Sequence, residues 1–322
     1  MRDKMLRLAL LLCCWPGVVL PQDYEPDLLS TFSIIARDPA TGELGGGFQS
    51  KAFAGGNRIV DGKGGLAVIA HQAVSDPMYG VIGLELLGAG LPPQEALDMM
   101  VQGDEGRNRR QVAILDMQGR TASWTGPGCD DWKGHHCGTN YCVQGNTLTG
   151  PEVVAAMWHS FESSSGPLAE RMLAALDAAQ QAGGDARGVQ SAALWIFKPR
   201  TGAAGFSDRA IDIRVDDHKQ PLAELRRLLN IARSNEMVAQ ANQKLQARNF
   251  DGALEQAVAA RDRSPANDVA WVALGNVYVK MGRNADALAA LQRAIELNPA
   301  NQRRLPRNPN FEALFKDSAA NP

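Results

Sequence analysis

The stretch Thr31-Phe-Ser-Ile-Ile-Ala-Arg37, with Asp38-Pro-Ala-Thr-Gly42 after it and Glu43-Leu-Gly-Gly-Gly-Phe-Gln-Ser50 beyond, decides how the chain reads. Phe32, Ile34 and Ile35 surround Ser33, a pattern that fits a pleated, half-buried surface and predicts a strand over 31–39. Residues 38–42 carry turn chemistry, because proline presets φ and glycine accepts positive φ. Residues 43–50 then read as the partner strand of a hairpin. Gly45, Gly46 and Gly47 inside that strand permit close approach of another backbone or a ligand. Their spacing lacks the lysine and hydroxyl residue of a phosphate loop.

Working outward, Gly65 to His71 is an almost wholly apolar third strand, expected to be covered on both faces. Residues 81–90 and 93–102 read as helices with leucine, alanine and methionine stripes. Strands follow at 111–116 and 121–124 around a Gln-Gly turn, with a short one at 141–145. Helices are expected at 151–161 and 168–181, and strands at 191–197 and 212–215. Hairpins therefore alternate with helix pairs, which gives an α+β class. Two packed sheets, each backed by a helix layer, would bury every face. A single open sheet with helices on one side is the competing arrangement.

From Pro221 the pattern turns helical and repeats. Ala253, Ala260 and Pro265 recur as Ala287, Ala294 and Pro299, and Ala241 recurs as Gly275, each 34 residues on. The run Trp271-Val-Ala-Leu274-Gly275-Asn-Val-Tyr278, then Ala287, Leu291, Ala294 and Pro299, resembles a tetratricopeptide repeat at each signature position. The preceding unit has Met237, Gln240 and Lys244 at the tryptophan, leucine and tyrosine positions. Two repeats are expected within 231–302, capped by a helix over 221–233 and by Phe311–Phe315 in the tail at 303–322.

The chain of 322 residues has 45% hydrophobic and 21% charged residues, a composition that excludes a disordered polymer. Net charge is −2, but residues 1–218 carry 18 basic and 25 acidic side chains and residues 219–322 carry 15 and 10. A near-neutral balance with 6% aromatics predicts no nucleic-acid partner. The basic start Met1 to Arg7 and the apolar run Leu8 to Leu20 read as a secretory leader over 1–22, with a spacer over 23–30. The expectation is an exported protein, periplasmic or extracellular, with no stable membrane insertion once the leader is gone. Cys129, Cys137 and Cys142 then predict one disulfide and one spare thiol. With His135 and His136 nearby they lack a C-x-x-C pair, so no metal is expected, and no cofactor.

The chain has no G-x-S-x-G or H-E-x-x-H motif. A hydroxyl residue remains at the head of the first core strand, just past the leader and spacer. Cleavage before Thr31 would put a side-chain oxygen and a free α-amine on one residue, and that amine accepts the hydroxyl proton at its reference pKa of about 8. Without cleavage, Thr31 is an ordinary β-branched strand residue.

Residues 31–51, Gln144-Gly-Asn-Thr-Leu-Thr-Gly-Pro151, Gly188-Val-Gln-Ser-Ala-Ala193 and Arg214-Val-Asp-Asp-His218 together resemble domain-of-unknown-function family 1028. The resemblance spans roughly 31–230. It implies a four-layer αββα sandwich similar to the N-terminal-nucleophile (Ntn) hydrolases, often exported and sometimes joined to helical repeats. On that basis Thr31 is the candidate nucleophile, Ser33 a residue holding the amine, and Asn146 an oxyanion donor or simply part of a turn. Gln49, Ser50 and Lys51 end the partner strand and are candidates to line a substrate cleft. His71 and Gln72 are candidates for the cleft or for the core. Asp185 and Arg187 are expected to pair structurally, and Asp216, Asp217 and His218 to form a solvated strand exit. The expected activity is hydrolysis of a cell-wall or peptide-derived amide, with a small molecule or peptide as substrate and a protein partner on the repeats. The alternative is a non-catalytic ligand-binding scaffold whose repeats recruit the partner.

Overall fold

The computed structural model describes residues 28–29, 31–201, 205 and 207–320, with side chains described from 31 to 316. The leader at 1–22 and nearly all of the spacer at 23–30 lie outside the described residues. Eleven strands and ten helices occur among those described. The strands are β1 (Leu28–Leu29), β2 (Thr31–Arg37), β3 (Leu44–Ser50), β4 (Val60–Lys63), β5 (Ala67–Val74), β6 (Arg110–Asp116), β7 (Thr121–Thr125), β8 (Gly134–Gly138), β9 (Tyr141–Gly145), β10 (Ser191–Thr201) and β11 (Ser207–Val215). The helices are α1 (Met78–Gly88), α2 (Pro93–Gly103), α3 (Glu152–Ser163), α4 (Leu168–Gln181), α5 (Pro221–Gln246), α6 (Phe250–Arg263), α7 (Asp268–Lys280), α8 (Asn284–Leu297), α9 (Asn301–Arg304) and α10 (Glu312–Ala320).

The strands form two antiparallel sheets rather than one open sheet. One has five strands in the order β1-β5-β6-β7, with β4 also on β5; the other has six in the order β11-β10-β3-β2-β9-β8. Ile35, Phe48 and Trp195 from the six-stranded sheet meet Val68, Ala113 and Leu115 from the other in one core. Phe32, Ile34 and Leu194 point the other way, onto Met157, Leu173 and Leu176 of α3 and α4 and Leu225 of α5. Ile69 and Ile114 pack against Tyr79, Leu87 and Leu97 of α1 and α2. Strand alternation thus assigns each side chain of β2: even positions face helices, odd positions face the gap between the sheets.

The hairpin of residues 31–50 forms as read, in the register Thr31 opposite Ser50. The glycines admit side chains of the neighbouring layers. A Cβ on Gly45 would lie 2.5 Å from Met172 Sδ, and one on Gly46 would lie 2.5 Å from Val60 Cγ1. Gly46→Val should therefore lower stability by about 2–3 kcal/mol through overpacking, read as a fall in the urea midpoint at unchanged slope. Strands β4 and β8 carry no hydrophobic run and were not legible. Val60-Asp-Gly-Lys63 and Gly134-His-His-Cys-Gly138 become strands because β5 and β9 supply their pairing. Cys137 and Cys142 sit opposite each other across β8 and β9 and form the disulfide. Cys129 is the spare thiol, and burial pushes its pKa up.

The helix expected over 221–233 continues without a break to Gln246 as α5. Leu222, Leu225 and Leu229 on its first half belong to the sheet-bearing core, while Val238 and Ala241 pack against repeat helices. The change of unit near residue 230 is thus a change of contact partner along one helix. Glu170 of α4 bonds both Arg233 and Arg263 across the junction, at 2.9 and 2.8 Å. Within the repeat, a Cβ on Gly275 would lie 2.8 Å from Leu291, so a glycine is needed where α7 touches α8. Phe311 is buried against Leu291, Ala294 and Leu305 and caps the array.

Asp104, just past α2, ties the α1–α2 layer to its sheet. It accepts from Arg110 Nε at 2.8 Å, Tyr79 Oη at 3.0 Å and Gly106 N at 2.7 Å. Burial alone would raise its pKa, but these donors outweigh it and hold the carboxyl below its usual range. A carboxylate with a depressed folded pKa contributes stability that is full above the unfolded value, about 4, and is lost as pH falls through the folded one. The stability gap between wild type and Asp104→Asn should close as urea midpoints are followed from pH 6 to pH 3.

Candidate functional site

Thr31 opens β2, the strand flanked by β3 and β9 near the middle of its sheet. It is fully buried, and by strand parity its side chain faces the gap between the sheets. Its Oγ1 is buried without a hydrogen-bond partner, a rare state for a hydroxyl. Its carbonyl is doubly held: Gln72 Nε2 donates to it at 2.9 Å and Asn146 N at 3.1 Å.

Around that carbonyl runs a closed amide network. Ser33 Oγ donates to Gln72 Oε1 at 2.6 Å, and Gln72 Nε2 also donates to Gln111 Oε1 at 2.8 Å. Asn146 Nδ2 donates to the same Gln111 oxygen at 3.0 Å. The Gln111 amide nitrogen is shared among Gly145 O at 2.8 Å, Thr125 Oγ1 at 3.0 Å and Gly134 O at 3.1 Å. All four side chains of the network, Ser33, Gln72, Gln111 and Asn146, are at most 1% exposed. The register explains the convergence: Gln72 sits opposite Gln111 across β5 and β6, and Ser33 sits opposite Gln144 across β2 and β9. Thr147 follows at φ 53°, strained for a β-branched residue. The turn is held in that conformation by Thr147 N donating to Asp130 O at 3.0 Å and by Ala186 N donating to Thr147 O at 2.9 Å.

The structure thus gathers Thr31, Ser33, Gln72 and Asn146. Ser33 reaches Thr31 through Gln72 rather than directly. Ser50 lies opposite Thr31 in register and is fully buried. Gln49 points to the helical side, where its amide donates to Gln180 of α4. Lys51 has an exposed side chain and gives its backbone N–H to Asp185 Oδ2 at 3.1 Å. His71 faces away from Gln72, onto Asp61 and Ser75. Asp185 pairs with Arg187 at 2.8 Å. Asp217 Oδ1 accepts from Gln190 Nε2 at 3.2 Å and His218 Nδ1 from Gln220 N at 3.0 Å. His136 stacks on Trp158 at 4.6 Å and His135 meets Thr125. Among the described residues no group of three or more His, Cys, Asp or Glu is placed to hold a metal ion.

Gln111 and Gln144 escaped sequence reading. The available signal was their polarity at the ends of otherwise apolar strands. Gln144 Oε1 is a second buried polar atom without a partner, two pleats along β2 and β9 from Thr31. Between the sheets, the Thr31 hydroxyl and the Gln144 carbonyl oxygen thus lie unpartnered beside amide donors already committed to protein acceptors.

Comparison with known proteins follows the same division of the chain. No curated protein matches it. Residues 269–301 match the tetratricopeptide repeat model. A crystallised protein of Silicibacter pomeroyi, described as a member of family DUF1028, superposes with a TM-score of 0.58 at 32% identity, over 63% of this chain and 86% of that one. Residues 31–225 match the model of a family of unknown function, DUF1028, and the chain belongs to that family.

Proposed function

We propose that residues 31–230 are an αββα sandwich of the Ntn-hydrolase kind, in an exported amide-bond hydrolase with Thr31 as nucleophile. The observation that carries the reading is the Thr31 hydroxyl, buried at a strand head and without a partner. Such a group costs stability and is retained where chemistry needs it.

In this reading, cleavage before Thr31 frees its α-amine. The amine takes the Oγ1 proton while Oγ1 bonds to the substrate carbonyl carbon. The second Nδ2 hydrogen of Asn146 stabilises the oxyanion, and the Gln111 bond holds that amide in place. The protonated amine returns its proton to the leaving nitrogen as the C–N bond breaks. Water then hydrolyses the ester on Oγ1. The residues ahead of Thr31 bear on access: β1 pairs Leu28 with Val74 and Leu29 with Ala73 of β5, beside Gln72. Their release would open the gap.

The substrate class is a cell-wall or peptide-derived amide. The repeats supply a protein-docking surface, for which a cavity of about 450 Å³ lined by Trp271, Tyr278, Arg261, Arg293 and Glu296 is the supporting feature. Intact-mass analysis of protein recovered from outside the cytoplasm tests the mechanism. The expected mature chain starts at Thr31, and an active protein that retains residues 23–30 overturns it.

A further inference from the structure

The other face of β5 carries a separate arrangement. His71 Nδ1 lies 2.8 Å from Ser75 Oγ, and His71 Nε2 lies 2.9 Å from Asp61 Oδ2. The three residues come from β5, the turn between β5 and α1, and β4. We infer that Ser75, His71 and Asp61 form a second nucleophilic site, a Ser-His-Asp relay that accepts small acyl esters.

Three features of its construction support this role. His71 is 1% exposed, so the ring is fixed between its two partners. A carboxylate at Nε2 selects the tautomer protonated there, which leaves Nδ1 to accept the Ser75 proton. The hydroxyl's other neighbours, His71 O at 3.1 Å and Arg58 O at 3.4 Å, are both farther than Nδ1. The carboxylate has a place made for it: a Cβ on Gly80 would lie 2.0 Å from Asp61 Oδ2, so α1 can pass only as glycine there. The ring nitrogens are used in the reverse of the usual order, but acceptor, orienter and nucleophile keep their roles.

The site differs from the Thr31 gap in access. Ser75 is half-buried and the Asp61 side chain is 42% exposed, so the relay opens directly to solvent. This suits a small ester. The chemistry closes on itself: the Ser75 proton moves to His71 Nδ1 as Oγ bonds to the ester carbonyl carbon. The alkoxide leaves with that proton; water, deprotonated by His71, then attacks the acyl-serine, and His71 returns the proton to Ser75 Oγ as the carboxylic acid departs.

A fluorophosphonate probe on the full chain tests this, because the same attack on phosphorus expels fluoride and leaves a stable adduct. Peptide mass mapping should place the adduct on Ser75. Asp61→Asn should slow labelling by at least about tenfold, with the thermal midpoint held within a few degrees because this carboxylate is half-exposed. Ser75→Ala should remove the adduct. An unlabelled Ser75 peptide in the folded wild-type protein overturns the inference, as does a labelling rate unchanged in Asp61→Asn. In the full chain Thr31 has no free α-amine, so an adduct on Ser75 reports on this site alone and leaves the Thr31 mechanism to its own test.

Discussion

Thr31→Val should make the full chain more stable while abolishing amide hydrolysis. Valine keeps the branched shape and volume of threonine, so the pairing with Ser50 and the Asn146 N–H bond to the residue's carbonyl survive. What changes is the loss of a buried hydroxyl with no partner. Leaving such a group unsatisfied costs about 1–3 kcal/mol, and replacing it with a methyl group removes that cost. At about 2–4 °C per kcal/mol for a unit of this size, the melting temperature should rise by a few degrees. Hydrolysis by the processed form that starts at residue 31 should fall to background in the variant, because valine offers no nucleophile, while Thr31→Ser should keep measurable activity. Most core substitutions move stability and activity down together, so opposite signs are a specific signature of a retained functional strain. Calorimetry on the unprocessed chain supplies the first sign. A lower midpoint for Thr31→Val would mean that the hydroxyl is structurally engaged, and it would remove the observation on which the proposed mechanism rests.

The sequence carried the scaffold better than the site, for a physical reason. Elements with strong periodicity announce themselves: α4 at Leu168–Gln181 and the hairpin around Asp38–Gly42 form where the apolar pattern and turn residues place them. The repeat was legible because Ala287, Gly275 and Ala294 are small for the same packing reason in any such array. Strands β4 and β8 escaped because their pairing partners, not their own side chains, make them strands. The candidate site was half legible. Thr31 and Asn146 stood in recognisable local contexts, a strand head and a Gly-Asn turn. His71 and Gln72 are adjacent in sequence but face opposite sides of β5, and only strand parity fixed by the register separates one into the gap and the other onto Asp61. Gln111 is 39 residues from Gln72 and 35 from Asn146. No local rule joins them, and their meeting depends on sheet order.

That same nonlocality makes Gln111 the place where fold and site are most tightly coupled. Its carboxamide oxygen takes one donor from β5 and one from the loop after β9, and its nitrogen serves carbonyls of Gly145 and Gly134. One side chain therefore satisfies polar groups from both sheets in a gap without solvent. Gln111→Leu keeps the approximate volume but strands the Asn146 donor and at least one buried carbonyl, each worth about 1–3 kcal/mol. The expected loss is about 3–4 kcal/mol, or roughly 10 °C in melting temperature. Asn146→Ala alone should cost less, because Gln111 retains its other partners. A double-mutant cycle between the two should show a coupling of about 1 kcal/mol or more, as for residues in one network. If the Thr31 gap is the reaction site, the surviving folded fraction of Gln111→Leu should also lose kcat more than KM, since Asn146 would no longer be held to meet the developing oxyanion. Additive effects on stability would show that Asn146 keeps its position without Gln111. The network would then be two independent pairs, and the preorganised donor would have to be sought elsewhere in the gap.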